Sequence, residues 1–406
     1  MTECQADAAS LKVLYLHHVA PFGGSSRSMM EMINALPSGT VEARIVLPRG
    51  QYAEILGRQG LLLLTSGGVA QFDHCRYSYY RGWRWLVLGR ELLYLPGTLF
   101  ALWRARRRWP DTDLVHVNEI TMLPSLLAAR WLFGKPVVVH VRSVQCTLPL
   151  ARTHWVFGLV GRYSAMRIAI DQNVQQSLPA DLSSTVIHNG LKVPDGGGPT
   201  GDVCPGELVV GMVGVIARVK GCIEFVRAAA ELKRRGVPVR FKLIGKEIRH
   251  QSGWRDRLLR SLGFSQEISN ELLDIIAAEG LEDIVRFEPF TTDLKAVYRA
   301  MDVIAFPSHY DAPGRPIFEA ALYGIPAIAA VSEPMPDTIQ PEVTGLTIPP
   351  RDHLALADAI ERLYRDPQLR RTMGDQARAF AEGSFDAARN ASEVLALYRR
   401  LKAGED

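Results

Sequence analysis

The sequence predicts an α/β fold made of two domains, each with a parallel sheet covered by helices. Short apolar runs alternate with helical patterns along the chain, a rhythm that is typical of βαβ units. Residues 193–206 (VPDGGGPTGDVCPG) interrupt this rhythm, and it restarts after them. A chain of 406 residues is long enough for two separate cores. We therefore predict a first domain at 1–195, a linker at 196–206, a second domain at 207–385 and a final helix at 386–406.

In the first half, apolar runs predict strands at 11–17, 41–47, 61–65, 113–118, 136–141, 166–170 and 185–187. Helical patterns lie between them at 28–36, 53–60 and 123–132. A glycine pair, Gly23-Gly24, stands between the first strand and the first helix. Two glycines there allow close approach of a ligand, but taken alone the pair is better explained by a tight turn.

In the second half, strands are predicted at 208–213, 239–244, 285–287, 302–306, 327–330 and 345–350. The predicted helices are at 222–235, 267–279, 294–299, 353–364, 367–382 and 387–402.

Residues 307–326 (PSHYDAPGRPIFEAALYGIP) join two of these strands through a loop and a helix. Pro316 suits the first helical position, because its missing N–H would have no partner there. A loop that leads from a parallel strand into a helix is where open α/β sheets hold anions. Asp311 and Glu319 would hold hydroxyl groups, and Arg315 would hold phosphate. The alternative is ordinary structure, namely a turn residue, a favourable helix-dipole charge and a solvated cation.

Composition excludes several classes of protein. A net charge of +4, with 47% hydrophobic residues, is typical of a soluble globular chain and does not indicate a nucleic-acid binder. The five cysteines are scattered and form no CxxC pair, which argues against a disulfide framework or a zinc site and favours a reducing compartment. The polar N-terminus does not resemble a secretory signal. We therefore expect a cytoplasmic protein without a metal.

The most apolar long stretch, residues 85–103, contains Arg90, Glu91 and the pair Pro96-Gly97, which argue against a membrane span. The wider segment 81–109 combines tryptophans and leucines with seven arginines. Aromatic residues beside a basic cluster suit the surface of an anionic membrane, so we predict a peripheral contact with the inner membrane face there. The alternative is a core helix with a solvated basic end.

Several segments, in chain order, carry a resemblance to a known family. They are Pro21–Arg27 (PFGGSSR), His188-Asn189-Gly190, Val213–Gly221 with Lys220-Gly221 at its end, Pro307-Ser308 with Asp311, Gly314, Pro316 and Glu319-Ala320, and Thr344-Gly345-Leu346. Together they resemble the retaining glycosyltransferases of the B-type fold, glycosyltransferase family four (glycosyl transferases group 1).

The resemblance implies two Rossmann-like domains that face a cleft, with the C-terminal helix crossing back to the first domain. It also implies transfer of a sugar from a nucleotide-diphosphate sugar to a glycan or a lipid-linked acceptor, as in polysaccharide, lipopolysaccharide or glycolipid biosynthesis. No cofactor or metal is expected. Two alternatives stay open: a nucleotide-sugar epimerase of the same fold, and a catalytically degenerate protein that only binds the nucleotide sugar.

The resemblance also assigns roles to residues. Lys220 and Arg218 would stabilise the leaving diphosphate, Asp311 would lie near the donor sugar, and Glu319 would hold the ribose hydroxyls. The expected donor-binding residues are Gly23, Gly24, Gly214, Gly245, Gly314, Arg315, Pro316, Thr344 and Gly345. The expected acceptor-side residues are Arg27, Asn118 and Arg142.

Three positions depart from the family pattern. The arginine of the phosphate loop falls on Val215, so we expect Arg218 to replace it, because a diphosphate needs more positive charge than Lys220 alone. Asp311 stands where a glutamate is usual, and Arg142 where a histidine is usual. Base, donor sugar, acceptor, linkage and oligomeric state do not follow from the sequence.

Overall fold

A computed structural model describes residues 10–76, 80, 85–193, 206–245, 268–289, 291 and 293–404. The predicted linker lies outside the described residues except for Gly206, and so do Arg81 and Arg84 of the basic aromatic segment. The chain divides into two compact units. Unit 1 comprises Met1–Lys192 and Phe385–Asp406, and unit 2 comprises Val193–Ser384.

Unit 1 is built on a parallel sheet of seven strands in the order β3-β2-β1-β4-β5-β6-β7. These strands are β1 Leu11–Leu16, β2 Val41–Pro48, β3 Leu62–Ser66, β4 Leu114–Val117, β5 Val137–Val141, β6 Met166–Ala169 and β7 Thr185–Val186. The strand order reverses between β1 and β4, and open parallel sheets bind ligands outside the carboxyl ends of such strands.

The described helices of unit 1 cover both faces of this sheet. They are α1 Gly24–Ala35, α2 Gln51–Arg58, α3 Val87–Arg108, α4 Leu123–Phe133, α5 Leu150–Tyr163, α6 Gln172–Gln176 and the C-terminal helix Ala387–Ala403. The C-terminal helix packs Val394, Leu395 and Tyr398 into the core with Val13 and Ile45 of the central strands. The prediction that this helix returns to the first domain is confirmed.

Unit 2 has a parallel sheet of six strands in the order β10-β9-β8-β11-β12-β13, which reverses between β8 and β11. The strands are β8 Leu208–Val213, β9 Val239–Gly245, β10 Val285–Pro289, β11 Val303–Phe306, β12 Ala327–Ala330 and β13 Gly345–Ile348. Its described helices are α7 Cys222–Arg234, α8 Ser269–Glu279, α9 Leu294–Arg299, α10 Arg315–Ala321, α11 His353–Arg365 and α12 Pro367–Ser384. The predicted fold class of two parallel α/β domains is confirmed.

Four helices differ from the sequence prediction. Helix α1 begins at Gly24, four residues before the predicted start. Its first turn was missed because its small polar residues show no hydrophobic periodicity. Helix α3 continues through Pro96, so this residue, which counts above against a membrane span, does not end the helix. Burial of Ala101, Leu102 and Ala105 beyond the proline holds the helix against the sheet. Helices α5 and α6 were not predicted. No described helix is both long enough and apolar enough to cross a bilayer.

Candidate functional site

The centre of unit 2 brings together two loops, the one after β8 and the one after β11. The first loop forms a turn of 3-10 helix at Arg218–Lys220 and ends at Gly221, whose φ is +80°. A Cβ at Gly221 would lie 1.9 Å from the carbonyl oxygen of Pro307, so only glycine fits where the loops cross. The amide of His309 also donates to the carbonyl of Val219, at 2.9 Å. The two loops therefore form one structural element.

Lys220 is the cation of this element. Its ammonium lies 4.7 Å from the ring centroid of Tyr310 and 5.6 Å from that of Phe306. Across the described ranges, no carboxylate lies within ion-pair distance of Lys220. Burial lowers the pKa of Lys220, because a desolvated ammonium is less stable than a hydrated one. An anion bound here would restore the lost stabilisation of the positive charge.

Two further glycines bring backbone segments close together at this edge of the sheet. A Cβ at Gly245, at the end of β9, would lie 2.2 Å from the carbonyl oxygen of Gly214. A Cβ at Gly314, the residue before α10, would lie 2.3 Å from the Phe306 ring. Pro316 lies in the first turn of α10, as the sequence predicts.

Asp311 lies in the loop between β11 and α10 in a left-handed conformation, with a φ of +49°. Aspartate tolerates this conformation better than most residues with a Cβ. Its Oδ1 accepts a hydrogen bond of 2.6 Å from the amide of Ser332. The loop after β12 therefore fixes the orientation of this carboxylate.

Glu319 and Arg315 bind each other. Glu319 is buried, and its Oε1 accepts a hydrogen bond of 2.6 Å from Nε of Arg315, one turn earlier in α10. Its Oε2 accepts from the hydroxyl of Tyr298, at 2.7 Å. The sequence assigned phosphate to Arg315 and hydroxyl groups to Glu319, whereas the structure joins them in an ion pair.

Arg218 is also engaged elsewhere in unit 2. Its Nη1 donates to Oε1 of Glu271 in α8 at 3.2 Å, and Nη2 contacts the other carboxylate oxygen. The pair is largely exposed to solvent. Arg218 is therefore close to Lys220 in sequence, but its charge is already paired with Glu271 of α8.

Thr344 and Gly345 are the clearest correction to the predicted site. Gly345 begins β13 and is in register with Ala327, the first residue of β12. A Cβ at Gly345 would lie 2.4 Å from the carbonyl oxygen of Ala327, which explains the glycine by strand packing. Thr344 closes the preceding turn by accepting from the amide of Gln340. Both residues lie at the amino ends of the strands, the edge opposite to Lys220.

In unit 1, three neighbouring strands end in polar residues that bind one another. His17 follows β1, Asn118 follows β4 and Arg142 follows β5. The Asn118 amide nitrogen donates to Nδ1 of His17 at 2.8 Å, and its Oδ1 accepts from Nη2 of Arg142 at 2.8 Å. Arg142 also contacts the side chain of Asn189. The predicted acceptor-side residues Asn118 and Arg142 are thus brought together.

The glycine loop lies at the same edge of unit 1. A Cβ on Gly23 or Gly24 would have no described atom within 4 Å, so packing within unit 1 does not explain either glycine. Ser26, buried in the first turn of α1, lies 3.0 Å from Nε2 of His17 and thereby ties the loop to Asn118. Arg27 pairs with Glu31 along the helix, at 3.0 Å.

Sequence reasoning missed several polar residues of unit 1. Burial lowers the pKa of His116 to about 3, and it lowers those of His17 and His140 well below the usual value. The Tyr398 hydroxyl lies 2.6 Å from Nδ1 of His116 and so connects the C-terminal helix to β4. Burial raises the pKa of Glu119 to about 7. A search for the first polar residues after each buried strand would have found His17 and Glu119.

The fold and these loops define a class of protein: two parallel α/β units, each with a switch point, and in unit 2 a cation held between two strand-end loops. Residues 23–171 match the family model described as a glycosyl transferase 4-like domain. Residues 204–380 match the model described as glycosyl transferases group 1. The chain belongs to the glycosyl transferases of group 1, and the predicted family is confirmed.

Individual relatives agree with this assignment. The chain is 33% identical over 198 residues to a D-inositol 3-phosphate glycosyltransferase of Saccharomonospora viridis, a match to 48% of this chain and 43% of that protein. The chain thus spans less than half the length of this curated relative.

Among solved structures, Anabaena HepE in complex with UDP and glucose superposes with a TM-score of 0.72 at 20% identity, over 96% of this chain and 99% of HepE. A sucrose-phosphate synthase from Thermosynechococcus elongatus gives 0.72 at 19% identity, over 97% of this chain and all of that one. At these identities the likeness establishes the fold alone.

Proposed function

We propose that the chain transfers a glycosyl group from a nucleoside-diphosphate sugar to a hydroxyl group of a glycan or lipid-linked acceptor, with retention of anomeric configuration. The observation that carries the proposal is Lys220, a partly buried cation with no carboxylate partner in the described part of unit 2, at the carboxyl ends of β8 and β11. HepE, which has the same fold, was solved with UDP and glucose and with UDP-glucose, and these ligands support a nucleoside-diphosphate sugar as the donor.

Lys220 would stabilise the charge that develops on the leaving diphosphate. A preorganised cation acts most strongly where burial has already removed water. Its desolvation is then completed during folding and adds nothing to the barrier of the reaction. Gly214, Gly245 and Gly314 keep the surrounding loops close, and main-chain atoms reach a ligand most easily at glycine. With Lys220 in this role, we propose that the reaction needs neither a metal nor another cofactor.

Asp311 and Glu319 would act differently from each other. No described residue donates to the second carboxylate oxygen of Asp311, Oδ2, so Asp311 is the better candidate to bind a donor-sugar hydroxyl. Glu319 is held by Tyr298 and Arg315, so we propose that it positions Arg315 and α10 before it contacts a ribose.

The second candidate, a protein that binds the nucleotide sugar without turnover, is favoured by two observations. Val215 stands, 67% exposed, where the family has an arginine. Arg218, the expected replacement, is paired with Glu271. Among the described residues, Lys220 would then be the one cation of the proposed diphosphate site that is not paired with a carboxylate, which suffices for binding but weakens stabilisation of the transition state.

Incubation of the full chain with a panel of UDP-, GDP-, ADP- and TDP-sugars tests the proposal. We expect hydrolysis of one donor in the absence of acceptor, and NMR of a transfer product should show the anomeric configuration of the donor. Nucleotide binding without turnover of any donor would favour the second candidate. An inverted product would refute retention.

We also propose that unit 1 contacts an anionic membrane through α3. One face of this helix is buried, and the other exposes large apolar side chains: Leu92, Leu93, Leu99, Phe100 and Trp103. Arginines border them, with the guanidinium of Arg107 4.4 Å from the Trp103 ring centroid and that of Arg104 6.0 Å from the Phe100 ring centroid. An apolar face with a basic border fits the interface of an anionic bilayer.

Flotation with vesicles of phosphatidylglycerol and phosphatidylcholine tests the membrane contact. Arg106 is a poor choice for mutation, because it donates to the carbonyls of Leu132 and Pro110 and so holds the fold. The triple variant Arg104→Glu, Arg107→Glu, Arg108→Glu avoids it. We expect the unmodified chain to float in low salt, and the variant to remain unbound. Flotation that is insensitive to both salt and the mutations would refute the proposal.

A further inference from the structure

A second polar cluster lies in unit 1, beside the residues considered so far. It consists of Glu119, two residues after β4, Ser143, two residues after β5, and Cys75 and Gln145, which form an antiparallel bridge. Because β4 and β5 are parallel neighbours, the cluster lies at their carboxyl ends, as do Asn118 and Arg142. This is the edge of the sheet at which open α/β units bind ligands.

The Ser143 hydroxyl is the centre of the cluster. It lies 3.2 Å from Oε1 of Glu119 and 2.9 Å from the thiol sulfur of Cys75. The Gln145 amide nitrogen lies 3.1 Å from the same hydroxyl and 2.6 Å from the Ser143 carbonyl oxygen. These contacts fix the orientation of all four side chains.

Glu119 has one oxygen that is fixed and one that is available. Oε1 accepts from the amide of Ile120 at 2.9 Å and, more weakly, from that of Arg142 at 3.4 Å. No residue in the described ranges donates to Oε2, although the side chain is only 6% exposed. The Oε1 of Gln145, 2% exposed, likewise has no donor in the part of the chain that the structure describes.

The buried Oε1 of Gln145 needs an explanation, because a buried acceptor costs roughly 1–3 kcal/mol when it is left without a donor. Glu119 Oε2 lies in the same cluster and is open to a second donor. Hydroxyl groups, which carry no charge and both donate and accept, can bind a carboxylate oxygen and an amide oxygen at the same time. A phosphate does not suit them, because it brings acceptors and a negative charge against Glu119. A metal does not suit them either, since the described residues contain no group of three or more potential ligands.

We propose that this cluster binds hydroxyl groups of a carbohydrate or polyol acceptor, with Glu119 Oε2 as the principal hydrogen-bond acceptor. The inference deepens the proposed function, because it places the acceptor of the same transfer reaction on unit 1. It adds a binding residue to those that the sequence predicts.

The charge state of Glu119 gives the site a pH dependence. Burial raises its pKa to about 7, while the positive charge of Arg142 opposes the rise. In the described part of unit 1, Cys75 also faces Glu119, and burial keeps its thiol protonated by raising the pKa well above the usual value, with Glu119 and Asp73 adding to the rise. At pH 8 the Glu119 carboxylate is therefore ionised and is the stronger hydrogen-bond acceptor. At pH 6 it is mostly protonated.

Saturation-transfer NMR of the full chain tests the inference, with methyl α-D-glucopyranoside, methyl α-D-galactopyranoside and myo-inositol as probes. We expect binding of at least one probe, tighter at pH 8 than at pH 6. Glu119→Gln should weaken it by about tenfold, the loss of one charge-assisted hydrogen bond, and abolish its pH dependence. The matched control Glu54→Gln, at an exposed position of α2 in the same unit, should bind as the unmodified chain does.

Ser143→Ala is a second variant, which keeps the Glu119 carboxylate and removes the hydroxyl that donates to it. We expect this variant to bind the probe a few-fold more weakly. The inference is overturned if no probe binds, or if Glu119→Gln and Ser143→Ala both bind like the control. UDP titrated into the same samples separates this result from the proposed function. If UDP still binds but probe binding does not depend on Glu119, the acceptor site alone is refuted. If probe binding depends on Glu119 but UDP does not bind, the donor proposal alone is refuted.

Discussion

Substitution of Gly221 by alanine tests whether the crossing of the two loops in unit 2 builds the candidate site. The change adds one Cβ, which would lie 1.9 Å from the carbonyl oxygen of Pro307, at a φ of +80°. Gly236→Ala is a matched control at the other end of α7, because its φ is +69° and a Cβ there would have no described atom within 4 Å. The two substitutions share the backbone cost and differ in the clash.

The expected magnitudes follow from these geometries. A left-handed conformation costs an alanine about 1–2 kcal/mol. At Gly221, displacement of the Pro307 loop adds about 1–3 kcal/mol, the usual cost of an overpacked site. In a unit of this size, each kcal/mol lowers the melting temperature by roughly 2–4 °C. We therefore expect a fall of about 2–8 °C for Gly236→Ala and a further fall of about 2–12 °C for Gly221→Ala.

Thermal unfolding with and without UDP measures both consequences. UDP at about 100 times its dissociation constant should stabilise the unmodified chain by about 2.7 kcal/mol. Gly236→Ala should keep this response, and Gly221→Ala should lose most of it, because the shifted loop carries Lys220. Equal melting temperatures and equal responses to UDP in the two variants would refute the role assigned to the loop crossing.

Two further predictions concern stability. Tyr298→Phe removes the 2.7 Å hydrogen bond to Glu319 and should destabilise unit 2 by about 1.5–3 kcal/mol, measured by urea unfolding; an effect below about 0.5 kcal/mol would contradict the account of Glu319. Unit 1 should lose stability as the pH falls below about 6.5. Below that pH the unfolded chain protonates its histidines, while His17, His116 and His140 stay neutral in the folded state. Each of these histidines then lowers the free energy of unfolding by up to about 1.4 kcal/mol per pH unit. Glu119, with its raised pKa, opposes this trend by one group. A urea midpoint that stays constant from pH 7 to 5 would contradict the predicted loss of stability.

Much of the fold follows from the sequence, because buried parallel strands are short apolar runs that need no knowledge of their partners. The run 208–213 predicts β8 without error, and 327–330 predicts β12. Helix α5 could not be predicted in the same way. Its segment contains Gly158 and Gly161, which weaken a helical pattern, and only four of its residues are buried.

The candidate site was predictable where local sequence determines it. The loop that ends in Lys220-Gly221 could be located from its glycines and its lysine, because its geometry depends on residues close in sequence. Thr344 and Gly345 were assigned to the wrong edge, because strand register depends on Ala327 and cannot be read from the motif alone. The pairing of Arg315 with Glu319 was also missed, since the same spacing fits two separate ligand contacts.

Isothermal titration of nucleoside diphosphates tests the central claim most directly. The claim is that Lys220 binds the diphosphate of the donor. Lys295→Met, at an exposed position of α9 in the same unit, is the control for Lys220→Met. We expect the unmodified chain and the control to bind one nucleoside diphosphate equally. Lys220→Met should bind it about 10- to 150-fold more weakly, the loss of one charge-assisted contact of about 1.5–3 kcal/mol. Binding that is unchanged in Lys220→Met, or absent for UDP, GDP, ADP and TDP alike, would contradict the claim.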